Sequence, residues 1–159
     1  MKISSKTNAL RLAESAGLLF TACEYDTSDG RIDAVAIAEK IGRSREEVFK
    51  TLVVQAPGHE HFVFIVPAAN ELDLKKAAKA AARKSIEMIP MKELLPLTGY
   101  VHGGCSPLGM KKLFPTFIDE SAILFDTICV SGGRIGLNIA VDPEKLAEVI
   151  NAEFADITK

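Results

Sequence analysis

The chain has 159 residues, 48% of them hydrophobic and 25% charged, with no low-complexity tract. These values exclude a disordered or fibrous chain and predict one domain over residues 1–159, long enough to bury a core. A formal net charge of −2 excludes a bulk polycation, so any nucleic-acid contact has to come from a local patch.

Thr7 to Ala16 has helical spacing and stops at Gly17. Leu18 to Tyr25 reads as a strand leading into the turn-rich Asp26-Thr27-Ser28-Asp29-Gly30. Asp33 to Ile41 places Ala34, Ile37, Ala38 and Ile41 on one helical face and ends at Gly42. Ser44-Arg45-Glu46-Glu47 fits a capping box, which predicts a short helix carrying Val48 and Phe49. Thr51 to Gln55 and Phe62 to Val66 are β-rich runs around Pro57-Gly58, a hairpin pattern. Asp73 to Lys84 is an alanine-rich helix whose Lys75, Lys79 and Arg83 recur along one side.

Ile86 to Ile89 reads as a strand and Lys92 to Leu95 as a short helix stopped near Pro96. Tyr100 to His102, Thr116 to Asp119, Thr127 to Ser131 and Ile135 to Val141 are further short strands. Asp142-Pro143-Glu144 opens a final helix that runs to about Asn151. The pattern predicts a mixed α/β domain with a meandering sheet covered by helices.

The chemistry-bearing motifs are small. Lys50 precedes a strand that reads as buried, so its ammonium either snorkels to solvent or reaches along the sheet's end to a carbonyl or phosphate; sequence alone favours snorkelling. Gly103-Gly104-Cys105-Ser106-Pro107-Leu108-Gly109 brings backbone amides close to a ligand or makes an ordinary tight turn, and the two readings are balanced. Ser131-Gly132-Gly133 reads as a hairpin turn that could also line a cleft. The Lys75, Lys79, Arg83 stripe, with Lys111 and Lys112, offers a nucleic-acid backbone contact against the commoner reading of a solvated face. Cys23, Cys105 and Cys129 are too few and scattered for a disulfide framework or a four-ligand zinc site. A catalytic Cys105 is less expected than a packed thiol, because only His102 is near it in sequence. The opening Met1 to Ser15 shows no secretory apolar run, and no segment matches a membrane span, so a cytoplasmic protein without membrane partners is expected.

Taken in order, these motifs resemble the YbaK/EbsC family of free-standing aminoacyl-tRNA deacylases, similar to the editing domain of bacterial prolyl-tRNA synthetase. The resemblance rests on Lys6-Thr7-Asn8-Ala9, Val48-Phe49-Lys50-Thr51-Leu52, Leu72-Asp73-Leu74-Lys75-Lys76 and Thr98-Gly99-Tyr100. It continues through Gly103 to Lys112 and Val130-Ser131-Gly132-Gly133 to Phe154-Ala155-Asp156-Ile157, nearly the whole chain. It implies a single domain with a mixed, mostly antiparallel, partly barrel-like sheet. It also implies trans-editing of Cys-tRNA(Pro), and of Cys-tRNA(Cys), by attack of the substrate's own thiol on its ester, with no metal or organic cofactor.

On this resemblance Lys50 is the essential residue. Thr51, Gly103, Gly104, Cys105, Ser106, Pro107, Gly109, Ser131, Gly132 and Gly133 form the substrate pocket and its rim. Lys75, Lys79, Arg83, Lys111 and Lys112 are weaker candidates for the tRNA backbone, and prolyl-tRNA synthetase is an expected transient partner. The chain departs from the family's pattern at Cys23, where an aromatic residue is common, at Cys105, commonly aliphatic, and near Gly30-Arg31-Ile32-Asp33, where Phe-Gly-Asp is common. These departures bear on amino-acid specificity more than on reaction class. The alternatives are an editing enzyme for alanine or a non-protein amino acid using water, and a non-catalytic module that binds tRNA or a synthetase.

Overall fold

Side-chain caps set where the helices begin in the computed structural model, which describes residues 6–159. Thr7 accepts from the Leu10 amide, Asp33 from Ala36 and Asp73 from Lys75 and Lys76, satisfying donors that a first helical turn leaves free. They open α1 (Asn8–Ser15), α2 (Ala34–Ile41) and α3 (Leu74–Ala80). A short α4 (Leu94–Thr98) follows a 3-10 turn, and Asp142 with Pro143 starts α5 (Pro143–Ile150).

Among the described residues eight strands form two sheets. The strands are β1 (Phe20–Glu24), β2 (Phe49–Ala56), β3 (Glu60–Pro67), β4 (Glu87–Met88), β5 (Thr116–Asp119), β6 (Ile128–Arg134), β7 (Leu137–Val141) and β8 (Ala152–Ala155). The smaller sheet runs β1-β7-β6 and is antiparallel throughout. The larger runs β4-β2-β3-β5-β8, antiparallel from β4 to β3 and parallel from β3 to β8. Val48 bridges to Cys129, where the Cys129 amide donates to the Glu47 carbonyl at 2.8 Å, and this joint links the sheets without closing a barrel.

The central hairpin is buried on both faces. Val53, Val63 and Ile65 pack into one core with Leu10, Leu108, Leu137 and Leu146, while Val54, Phe62, Phe64 and Val66 pack into a second with Ala77 and Ile157. Double burial explains why β3 is a nearly unbroken apolar run rather than an alternating one.

Six elements differ from expectation. The short helix predicted over Lys92 to Leu95 does not stop at Pro96, since α4 takes Pro96 into its first turn and ends at Gly99 in the left-handed conformation. Ser44–Glu47 is a turn: the Ser44 hydroxyl donates to the Glu47 carboxylate at 2.9 Å, but Val48 and Phe49 are drawn into sheet pairing instead of a helix. α3 stops short of Lys84, because the chain reverses through Ala82 at φ 56° and Arg83 clasps Glu60 through two 2.7 Å hydrogen bonds. Tyr100–His102 is a loop, tied locally by the Tyr100 amide donating to Thr98 Oγ1 and its hydroxyl donating to the Leu108 carbonyl. Ser131-Gly132-Gly133 is a bulge within β6, and the hairpin turns at Ile135–Gly136. β8, unanticipated, completes the edge of the larger sheet beside β5.

Candidate active site

A cavity of about 250 Å³ lies at the joint between the sheets. Val48 and the β2 residues Phe49 to Leu52 form one side, β6 and β7 contribute Ser131 and Asn138, and the start of α2, the 102–105 loop, Ala68 and Leu94 supply the rest. Ile32, Val35, Ile37, Leu52 and Leu94 make the lining largely apolar, with a few polar groups set into it, as small-molecule sites are built.

Lys50 is the cation of this site. Its strand position opposite Val66 leaves the side chain half-buried, and its ammonium donates to the Ala68 carbonyl at 3.3 Å. Burial pushes its pKa below the ordinary lysine value, and the Glu71 carboxylate partly offsets that shift. Glu71 itself pairs with Lys159 at 3.0 Å, and among the described residues Lys50 forms no ion pair. Beside it, Thr51 Oγ1 is buried without a hydrogen-bond partner among the described residues.

Of the residues singled out from sequence, Lys50, Thr51, Gly103, Cys105 and Ser131 line the cavity together. Gly104, Ser106 and Pro107 are buried behind it, and the Ser106 hydroxyl accepts from the Leu108 amide. Gly104 packs on the β6–β7 turn: a Cβ there would stand 2.8 Å from the Ile135 nitrogen and 2.9 Å from the Arg134 carbonyl carbon. Gly109 would meet Asn8 and the Tyr100 hydroxyl, and Gly132 the Leu137 side chain. Those glycines therefore let two loops interlock, and their lack of side chains serves packing.

The Gly104 amide is already donated to the Val101 carbonyl at 3.0 Å and the Gly133 amide to Ser131 Oγ at 3.1 Å. The Gly103 and Cys105 amides have no such partner among the described residues. Lys75 and Lys79 are exposed on α3, away from the cavity lining, and Arg83 is taken by Glu60. Lys111 donates to the Pro96 carbonyl at 3.4 Å, and Lys112 lies over the Phe114 ring.

Sequence reasoning missed Asn138, Asp33, Ala68 and the α2 residues of the wall. Asn138 had a readable signal, an amide inside the apolar run Leu137-Asn138-Ile139-Ala140-Val141. The others come to the cavity through chain crossings that no local pattern encodes.

A protein nucleophile is poorly served here. Burial pushes the Cys105 thiol up to about 12 and the Cys129 thiol up to about 11, so both are protonated near neutral pH. Among the described residues no three His, Cys, Asp or Glu side chains gather as a metal-binding set. What the lining residues offer is the Lys50 ammonium and the unbonded Gly103 and Cys105 amides, a set suited to stabilising negative charge on an acyl oxygen.

The aminoacyl-tRNA editing domain matches residues 31–149 of this chain. This chain belongs to the aminoacyl-tRNA editing family. It is 41% identical over 157 residues to a protein of Enterococcus faecalis that bears the name of a candidate Cys-tRNA(Pro)/Cys-tRNA(Cys) deacylase, EbsC, covering 99% of this chain and 96% of that one. Its fold matches the crystal structure of a candidate trans-editing enzyme for prolyl-tRNA synthetase with a TM-score of 0.86 at 24% identity, covering 98% and 99% of the two chains. The hypothetical protein APE2540 shares the fold at a TM-score of 0.87 and 20% identity, covering 96% and 99%. Both solved structures share the fold of this mixed two-sheet domain, and the resemblance to YbaK/EbsC extends over 99% of the chain.

Proposed function

We propose that this protein removes wrongly attached amino acids from tRNA in trans, with Cys-tRNA(Pro) as substrate and Cys-tRNA(Cys) as a second. The observation that carries the reading is Lys50, a half-buried ammonium that among the described residues is held only by a carbonyl on the wall of a largely apolar cavity. An ammonium in that setting costs desolvation, which an electronegative substrate group repays on binding. The terminal ribose and the ester joining it to the amino acid supply such groups.

For a cysteinyl substrate, the thiolate attacks the ester carbonyl carbon. A C–S bond forms, the bond from that carbon to the ribose oxygen breaks, and the departing oxygen takes a proton, releasing tRNA and a cyclic thioester of cysteine. Negative charge on the carbonyl oxygen is met by the Gly103 and Cys105 amides and by Lys50, at groups already in place before reaction. No protein nucleophile enters, in keeping with the protonated Cys105. A cytoplasmic location and a transient complex with prolyl-tRNA synthetase belong to the same proposal, since the cavity has room to read the acyl end and little of the tRNA.

The test is loss of label from Cys-tRNA(Pro), Ala-tRNA(Pro) and Pro-tRNA(Pro), with wild type and Lys50→Ala in parallel. Rapid, Lys50-dependent loss from the cysteinyl substrate alone is expected. Loss from alanyl substrate would replace the thiol-assisted step with water attack. Salt-sensitive tRNA binding without turnover of any of them would replace catalysis with a binding module.

A further inference from the structure

A tRNA is far larger than this cavity. About 250 Å³ holds an acyl group and little more, so the unpaired 3′ nucleotides behind the ester have to cross the rim. The rim is not uniform. On the α2 side, residues 26–40 carry Asp26, Asp29, Asp33 and Glu39 against Arg31 and Lys40. Both cations are taken, Arg31 by Glu39 at 3.2 Å and Lys40 by Asp29 at 2.8 Å. That side repels a chain of phosphates.

The α4 side is built the other way. Leu94 lines the cavity and packs on the core, while Met91 and Leu95 turn outward, 66% and 51% exposed. Thr98 fastens the next loop to α4, its Oγ1 accepting from the Tyr100 amide at 3.0 Å. That loop carries Val101, 45% exposed, and then His102 on the cavity lining. Lys111 lies along the same short helix: its backbone amide donates to the Thr98 carbonyl at 3.0 Å and its ammonium to the Pro96 carbonyl. With exposed Lys92, this side holds two lysines against one carboxylate, Glu93.

Exposed apolar side chains beside a functional cavity mark a contact surface. An unpaired strand needs apolar surface for its base faces and cations for its phosphates, and the α4 side offers both. It is also continuous with the cavity through Leu94 and His102, where the esterified ribose would sit. A protein partner would use the apolar residues but gives no reason for the lysines or for that continuity. α3, with Lys75 and Lys79, lies away from the cavity lining.

Resting on the deacylase reading, we infer that the unpaired 3′ end of the tRNA leaves the cavity over the α4 rim, its bases against Met91 and Leu95 and its phosphates toward Lys92 and Lys111. The test measures binding of uncharged tRNA(Pro) by fluorescence anisotropy at low salt, with its 3′ end intact or trimmed of the unpaired nucleotides. Label loss from Cys-tRNA(Pro) is followed with the same proteins.

Wild type should bind intact tRNA about tenfold tighter than trimmed, the scale of one base-stacking contact. Leu95→Glu should abolish that difference and raise KM for Cys-tRNA(Pro) about tenfold at unchanged kcat, since it removes apolar surface and repels phosphate. Leu95→Lys, polar but of opposite charge, should stay within about threefold of wild type. Lys75→Glu on α3 should leave the difference between intact and trimmed tRNA in place. Should Leu95→Glu fail to fold, Met91→Glu takes its place.

No effect of trimming in wild type, or equal losses in Leu95→Glu and Leu95→Lys, would overturn the inference, and continued label loss would leave the deacylase reading intact. A difference untouched by either Leu95 variant, or abolished by Lys75→Glu, would overturn it as well. Binding that needs Leu95 and the 3′ end but brings no label loss would uphold the rim and refute the deacylase reading.

Discussion

Replacing Gly104 by alanine tests whether the glycine loop is clamped to the β6–β7 turn. The added Cβ would stand 2.8 Å from the Ile135 nitrogen, 2.9 Å from the Arg134 carbonyl carbon and 3.0 Å from the Arg134 Cα. All three are backbone atoms, so no flexible side chain can swing away, and the clash falls toward the upper part of the roughly 1–3 kcal/mol typical of overpacking. Against it, alanine restricts the unfolded chain and returns about 0.4–1 kcal/mol. The net loss is about 1–2.5 kcal/mol, and at about 2–4 °C per kcal/mol for a chain of this length Tm falls by roughly 5 °C. Deacylation falls further than stability, because Gly103 and Cys105 on either side line the cavity and move with the loop.

Thermal unfolding by circular dichroism, run beside label loss from Cys-tRNA(Pro), measures both effects. Gly58→Ala is the control: its site has φ 85° and no atom within 4 Å, so it carries backbone strain without a clash and leaves the cavity untouched. Wild-type Tm together with wild-type rate for Gly104→Ala would refute the clamp.

Lys50→Met should lower deacylation by at least about a hundredfold, as loss of one preorganised charge does, while Tm holds or rises because a desolvated charge has been removed. The native lysine titrates below its unfolded value, so the unfolded chain binds more protons between the two. Stability should therefore rise with pH through that interval in wild type and not in Lys50→Met, as read by urea midpoints across alkaline pH. The cysteinyl rate should climb as the substrate thiol ionises and fall once Lys50 loses its proton, below the usual lysine range, giving a bell-shaped profile. Iodoacetamide near neutral pH should modify Cys23 and spare buried Cys105 and Cys129, as read by peptide mass spectrometry. Removing both Lys111 and Lys112 should lessen the salt dependence of tRNA affinity by up to about two units of slope, whereas Arg83→Gln, taken from an exposed pair, should change neither affinity nor activity.

The site was partly legible before any coordinates. Lys50-Thr51 and the Gly103–Gly109 loop stood out because lysine beside an apolar strand and several glycines in a short run are each unusual locally, and both reach one cavity. Which of the loop's residues face the cavity was not legible. Gly103 and Cys105 line it while Gly104 and Ser106 pack behind, a distinction that depends on how the loop lies against the β6–β7 turn. The Ser131-Gly132-Gly133 run looked like a turn because glycine pairs favour turns, yet pairing of β6 with β7 continues past it to Arg134.

The sequence by itself determined the local units: capped helices at Thr7, Asp33, Asp73 and Asp142, the hairpin of Thr51–Gln55 with Phe62–Val66, and the motifs that mark the family. Caps, periodicity and turn residues act over a few positions, so they can be read from a few positions. Tertiary structure decided the rest. Val48 and Phe49 became strand because Cys129 and Pro67 were there to pair with them, and α3 stopped early because Glu60 was placed to hold Arg83. Asn138 became a wall of the cavity because two sheets meet at the Val48–Cys129 bridge. Those outcomes depend on partners distant in sequence, whose pairing free energy exceeds the small local preference of any short segment.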